Sequence, residues 1–177
     1  VISKQYGKHH ALWQDPIRSR RKRARNRWVR TDGGRRAAGY HRVRGGCVPR
    51  AIAIATGKPY REVHNALVAA TLHYVETHRN RVTGWIRRSR GGRSFDPANG
   101  SYDEIYGPYL ESIGWRFTST KDHDKVRLRA DELPSGRLIV RVHRHLVAVI
   151  DGMVHDTWNC AGAGRRPVSG YYAARAS

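Results

Sequence analysis

The sequence predicts an α+β domain in which N-terminal helices pack on a C-terminal antiparallel β-sheet, preceded by a basic extended arm. Three observations predict it. Apolar residues recur at helical spacing from Cys47 to Ala70, Arg137 to Trp158 has strand-like texture around an Asp-Gly turn, and residues 1–39 show no apolar period. Tyr40 divides the 177 residues into an arm, 1–39, and a body, 40–177, of ordinary single-domain size.

Charge is concentrated at the front of the chain. Residues 1–45 carry 14 Lys or Arg against two acids, Asp15 and Asp32, and eight of the thirteen positions from 18 to 30 are basic. Ordering a backbone residue costs about 1–2 kcal/mol, which so polar a segment cannot recover by burial, so the arm is expected to order on phosphate. Its candidate phosphate contacts are Arg18, Arg20, Arg21, Lys22, Arg23, Arg25, Arg27 and Arg30. Trp13 and Trp28 are available to stack on bases or to pack on the body. Over the whole chain 34 Lys and Arg face 14 acids, a net +20 that excludes a routine enzyme of small anions and favours a polyanionic partner.

The body begins with helices. In CVPRAIAIAT, Val48, Ala51, Ile52 and Ala55 share one helical face, with Pro49 in the first turn and Gly57 placed to cap the end. A second helix starts at Pro59 and aligns Tyr60, Val63, Leu67 and Ala70. Arg79 to Arg93 then holds six Arg among three glycines and reads as a long surface loop, in which Arg87, Arg88 and Arg90 extend the nucleic-acid footprint. Ser101 and Glu104 have capping-box spacing, yet Gly107-Pro108 interrupts a helix begun there, so helix is expected only over Pro108 to Ile113. Trp115 to Ser119 is a candidate strand.

Strands dominate the remainder. Arg137 to His143 alternates, His145 to Ile150 is β-rich, and Asp151-Gly152 is a two-residue hairpin signal ahead of Met153 to Trp158. That turn fixes a register: Ile150 opposite Met153, Val149 opposite Val154, Val147 opposite Asp156. Side chains alternate faces, so His145 and Asp156 come to one face as a diagonal pair, about 7 Å apart at Cβ and within reach of an imidazole–carboxylate hydrogen bond.

Cys47 completes a candidate catalytic set. It opens a helix after Gly45-Gly46, where the positive helix end lowers a thiol pKa and the glycines admit substrate backbone. A thiolate nucleophile also needs a histidine oriented by a carboxylate or amide. Cys47, His145 and Asp156 are therefore the candidate catalytic residues. His143 is the alternative base, Asn159 the alternative orienter, and a small core residue the alternative role for Cys47. Cys160 reads as structural. Two cysteines are too few for a disulfide scaffold, and His143-x-His145 lacks a second regular ligand pair, so no metal and no cofactor are expected.

Together GGCVPRAIAIATGKPYREV and HLVAVIDGMVHDTW resemble the papain-like cysteine peptidase superfamily, in the style of its small phage and bacterial members. The resemblance covers roughly residues 40–173. It implies a nucleophilic cysteine opening a helix, a histidine heading one strand and an Asp or Asn on the next, matched by Cys47, His145 and Asp156. Such enzymes carry a Gln as oxyanion donor shortly before the cysteine. Here Tyr40-His41-Arg42-Val43-Arg44 has no amide, which leaves His41 or backbone N–H groups for that task.

The expected function is a thiol hydrolase, peptidase or isopeptidase, attached by its arm to DNA, RNA or a nucleoprotein particle. The alternative is an idle papain-like scaffold serving as a nucleic-acid-binding structural protein of a virion or ribonucleoprotein. Expected partners are nucleic acid backbone, and a protein substrate or particle neighbours. With no apolar run of membrane length and no signal-like start, the expected location is the cytoplasm or a phage particle, away from membranes.

Overall fold

The computed structural model describes residues 28–41, 45–89, 95–121 and 126–175. Among the described residues four α-helices and six strands run in the order β1 (Trp28–Arg30), α1 (Cys47–Thr56), α2 (Tyr60–Thr77), α3 (Arg81–Arg88), α4 (Asp103–Ser112), β2 (Trp115–Ser119), β3 (Arg137–Val142), β4 (His145–Ile150), β5 (Met153–Asp156) and β6 (Val168–Ala174). The fold is α+β. The strands form one sheet in the order β1-β5-β4-β3-β6-β2, antiparallel throughout except where β1 runs parallel to β5. The sheet is thus mixed, where an antiparallel one was expected.

Both faces of the sheet are covered. On one, Ile139, Leu146, Ala148 and Tyr172 pack against Val48, Ile52, Val63, Leu67 and Leu110 of the helices. On the other, Leu138, Val140, Val147 and Val149 pack under Leu128, Leu133, Cys160 and Ala161. This double burial is why the centres of β3 and β4 read as continuous apolar runs rather than strict alternation. The β4–β5 hairpin has the register its turn predicts, Ile150 opposite Met153 and Val149 opposite Val154. Asp151 and Gly152 both have positive φ, 47° and 74°, as a type I′ turn requires.

Four local expectations are corrected. Trp28–Arg30, assigned to the arm, is the edge strand, and Gly33 lies within 3.0 Å of Ile54 measured from where a Cβ would sit, so residues 28–41 belong to the folded body. The supposed loop after Arg79 contains α3, because Val82 and Ile86 bury one turn apart and Asn80 caps the Thr83 N–H. Helix α4 begins at Asp103 and runs through Pro108, which lacks only the bond to the carbonyl of exposed Glu104. The Ser101–Glu104 capping box does not form: Tyr102 is the cap residue, with no side-chain cap bond.

Candidate active site

Helix α1 and the β4–β5 hairpin meet at the sheet's helical face. Two consecutive left-handed glycines, Gly45 (φ 94°) and Gly46 (φ 65°), turn the chain into α1. A Cβ on Gly45 would lie 3.0 Å from the Ala98 carbonyl oxygen, and one on Gly46 would lie 3.4 Å from both the Ala98 backbone and the Tyr60 hydroxyl. The left-handed backbone favours glycine at both positions, and at Gly45 the close carbonyl adds a reason of space. Cys47 follows as the first helical residue, partly exposed in a cleft of about 680 Å³ that His145 also lines.

His145 heads β4 and Asp156 ends β5. The His145 Nε2 and Asp156 Oδ2 atoms are 2.6 Å apart, and both side chains are largely buried. Cys47 lies beside the His145 ring and the Leu146 backbone, close enough for both to lower its thiol pKa. Nε2 belongs to Asp156, so Nδ1 is the ring nitrogen left to face a thiol. The three candidate catalytic residues come together from two parts of the chain.

Burial pushes the Cys47 thiol pKa up, but the His145 hydrogen bond, the Leu146 N–H and the charges of His145 and Arg50 pull it below its ordinary value. Burial likewise pushes His145 down, and its hydrogen bonds with Asp156, Cys160 and Cys47 overcome this, raising it to about 11. Asp156 would be raised by burial but is held low by His145, the Thr157 N–H and Arg50. Both shifts favour a thiolate–imidazolium pair backed by a carboxylate.

Arg50 was invisible as a site residue in the sequence. One turn after Cys47 it is almost fully buried, with Nη2 3.2 Å from Asp156 Oδ1 and Nη1 donating to the Gly45 carbonyl. It ties the carboxylate to the turn that presents the nucleophile. The only signal was an arginine on the second turn of an apolar helix. Behind the same turn lies a second unforeseen group. His64 Nε2 is 2.9 Å from Asp96 Oδ1 and its Nδ1 is 3.2 Å from the Tyr40 hydroxyl, while Asp96 also accepts the Ala98 N–H that seats the 97–99 turn on Gly45.

Trp28 and Trp158 flank the pair. The Trp28 indole N–H and the Thr31 N–H both donate to the Asp156 carbonyl, at 3.1 Å and 3.0 Å, so β1 anchors the end of β5. The Trp158 ring stands 5.6 Å from the imidazole, centre to centre. His143 is exposed in the β3–β4 turn, and the Asn159 side chain accepts from the Ala161 N–H, so neither occupies the base or orienter position. His41 is exposed and is not among the described residues lining the cleft. Ser101 does line it, and its Oγ is shielded from water with no hydrogen-bond partner among the described residues.

His145, Asp156 and Cys160 present donor atoms within 4.8 Å of one another, the one such metal-capable group among the described residues. Both Asp156 oxygens are already engaged, Oδ2 with His145 and Oδ1 with Arg50 and the Thr157 N–H, as befits an orienting carboxylate. Of the basic residues, Arg30 is exposed on β1, Arg88 is exposed on α3, and Arg87 donates to the Val75 carbonyl. Arg18, Arg20, Arg21, Lys22, Arg23, Arg25, Arg27 and Arg90 lie outside the described residues. No described helix is long and apolar enough to cross a membrane. No family model, curated protein or solved structure matches the chain.

Proposed function

We propose that the chain is a papain-like thiol hydrolase, a peptidase or isopeptidase, held at nucleic acid or a nucleoprotein particle by its basic N-terminal arm. The observation that carries this reading is the placement of Cys47 and His145 together in a cleft, with Asp156 hydrogen-bonded to the imidazole behind it, a lowered thiol pKa and a raised imidazole pKa.

The Cys47 thiolate attacks the acyl carbon of an amide, and the carbonyl oxygen takes up the negative charge. As the C–N bond breaks, the His145 imidazolium gives its proton to the departing amine. Neutral His145 then takes a proton from water, the hydroxide attacks the thioester, and the C–S bond breaks to return thiolate and imidazolium. Asp156 holds the ring and its charge throughout. The oxyanion meets the Cys47 backbone N–H at the positive end of α1, and the Ser101 hydroxyl supplies the second donor that the missing amide would otherwise give.

Mass spectrometry after mixing with an activated ester tests the reading. Acyl transfer places the acyl group on the peptide containing Cys47, and the adduct then hydrolyses. An adduct spread equally over Cys160, or none at all, supports the idle scaffold instead.

A further inference from the structure

The outer face of α3 carries a feature that the cleft chemistry does not use. Val82, Thr83 and Ile86 are buried, Val82 and Ile86 within a cluster with Tyr74, Val75 and Ile105, which fixes the helix on the body. The opposite face presents Arg81, Trp85 and Arg88, spaced i, i+4, i+7 and so aligned in one stripe. Trp85 is 41% exposed, unusual for so large an apolar ring.

The stripe is ordered by its own contacts. The Arg81 guanidinium lies over the Trp85 ring at 4.7 Å from the centroid, and Tyr102 stacks beside it at 6.0 Å with 25° between planes. Gly84 leaves room for Arg88 to lie back along the helix: a Cβ there would come within 3.2 Å of Arg88 Nη1. The neighbouring arginines have other work. Arg79 donates to the Val75 and Glu76 carbonyls and Arg87 to Val75, closing the C-terminal end of α2.

We propose that Arg81, Trp85, Tyr102 and Arg88 form a binding site for single-stranded nucleic acid. Unstacked bases lie against the Trp85–Tyr102 platform while Arg81 and Arg88 meet the flanking phosphates. An exposed tryptophan backed by the half-buried Tyr102, set between cations, suits bases whose faces are free, and those faces are unavailable inside a duplex. The site rests on the nucleic-acid half of the proposed function and is independent of Cys47. It adds to the charge of the arm a surface that recognises bases by stacking.

Full-length protein, titrated with labelled oligo(U), oligo(dT) and a duplex of equal length over a salt series, tests it. Trp85→Ala is expected to weaken binding of both single strands roughly 5- to 150-fold, the range typical of losing one stacked base, with the salt slope unchanged. Trp85→Phe should recover most of that loss, and the duplex should be indifferent to either change. Joint Arg81→Ala and Arg88→Ala should flatten the single-strand slope by about 1.4, two phosphates at about 0.7 each. The ratio of oligo(U) to oligo(dT) affinity identifies which strand the site prefers. Wild-type affinity in Trp85→Ala, or an equal loss on duplex, overturns the site while leaving the arm's role intact. A wild-type chain that binds none of the three overturns both.

Discussion

Cys47 and His145 are each shifted toward the charged form that burial alone would oppose. The thiol is pulled down and the imidazole pushed up because each supplies the other's counter-charge, with Asp156 and Arg50 behind them. Removing one member of a buried charged set typically costs about 3–5 kcal/mol. Asp156→Ala should therefore lower stability by that order in a denaturant titration, while Asp156→Asn, which can still accept from the ring N–H, loses less and keeps part of the activity. Asp156 has a folded pKa below its unfolded value of about 3.9, so its contribution is present above that pH and is lost as pH falls through the folded pKa. The stability gap between wild type and Asp156→Asn should accordingly close in acid below about pH 3.9. Ser101→Ala should reduce acyl transfer about 10²- to 10³-fold, yet leave alkylation by iodoacetamide untouched, because that displacement forms no oxyanion. Equal loss in both reactions would assign Ser101 a merely structural part.

At the scale of elements, the active cleft depends on how α1 starts and how β4 turns into β5. Gly45 and Gly57 are both left-handed, but only Gly45 faces a backbone atom at 3.0 Å, whereas the space around Gly57 is open. Gly57→Ala should cost about 1–2 kcal/mol from conformation alone. Gly45→Ala should cost more and should also slow Cys47 reactions; thermal melts and alkylation rates read the two effects. The hairpin was legible in the sequence because Asp151-Gly152 fixes its register, and the register alone brings His145 to Asp156. Cys47 was legible from Gly-Gly before an apolar helix. Arg50 was not, since nothing local requires an arginine to turn inward toward a carboxylate 106 positions later. Helix α3 was hidden by its own composition: Gly84 and three arginines mask the two apolar positions, Val82 and Ile86, that bury.

Over the whole molecule, the basic segment and the folded body overlap. Trp28 and Thr31 hold the Asp156 carbonyl, so the charge-rich run ends inside the sheet rather than before it. A three-residue edge strand at the end of a basic run carries no periodic signal, so only the tertiary structure reveals it. Deleting residues 1–27 should spare Cys47 and flatten the salt dependence of single-strand binding by about 5 units, seven cations from 18 to 27 at about 0.7 each. Deleting residues 1–36 also removes β1 and should lower the melting temperature. The measurement that tests the central claim most directly is the pH dependence of iodoacetamide alkylation at the two cysteines, resolved by peptide mapping. The thiolate–imidazolium pair predicts that Cys47 reacts at pH 6 at least about tenfold faster than buried Cys160, and that His145→Ala moves its profile up to the range of an ordinary thiol, about pH 8.5. Equal rates at both cysteines, or a Cys47 profile indifferent to His145→Ala, would contradict it.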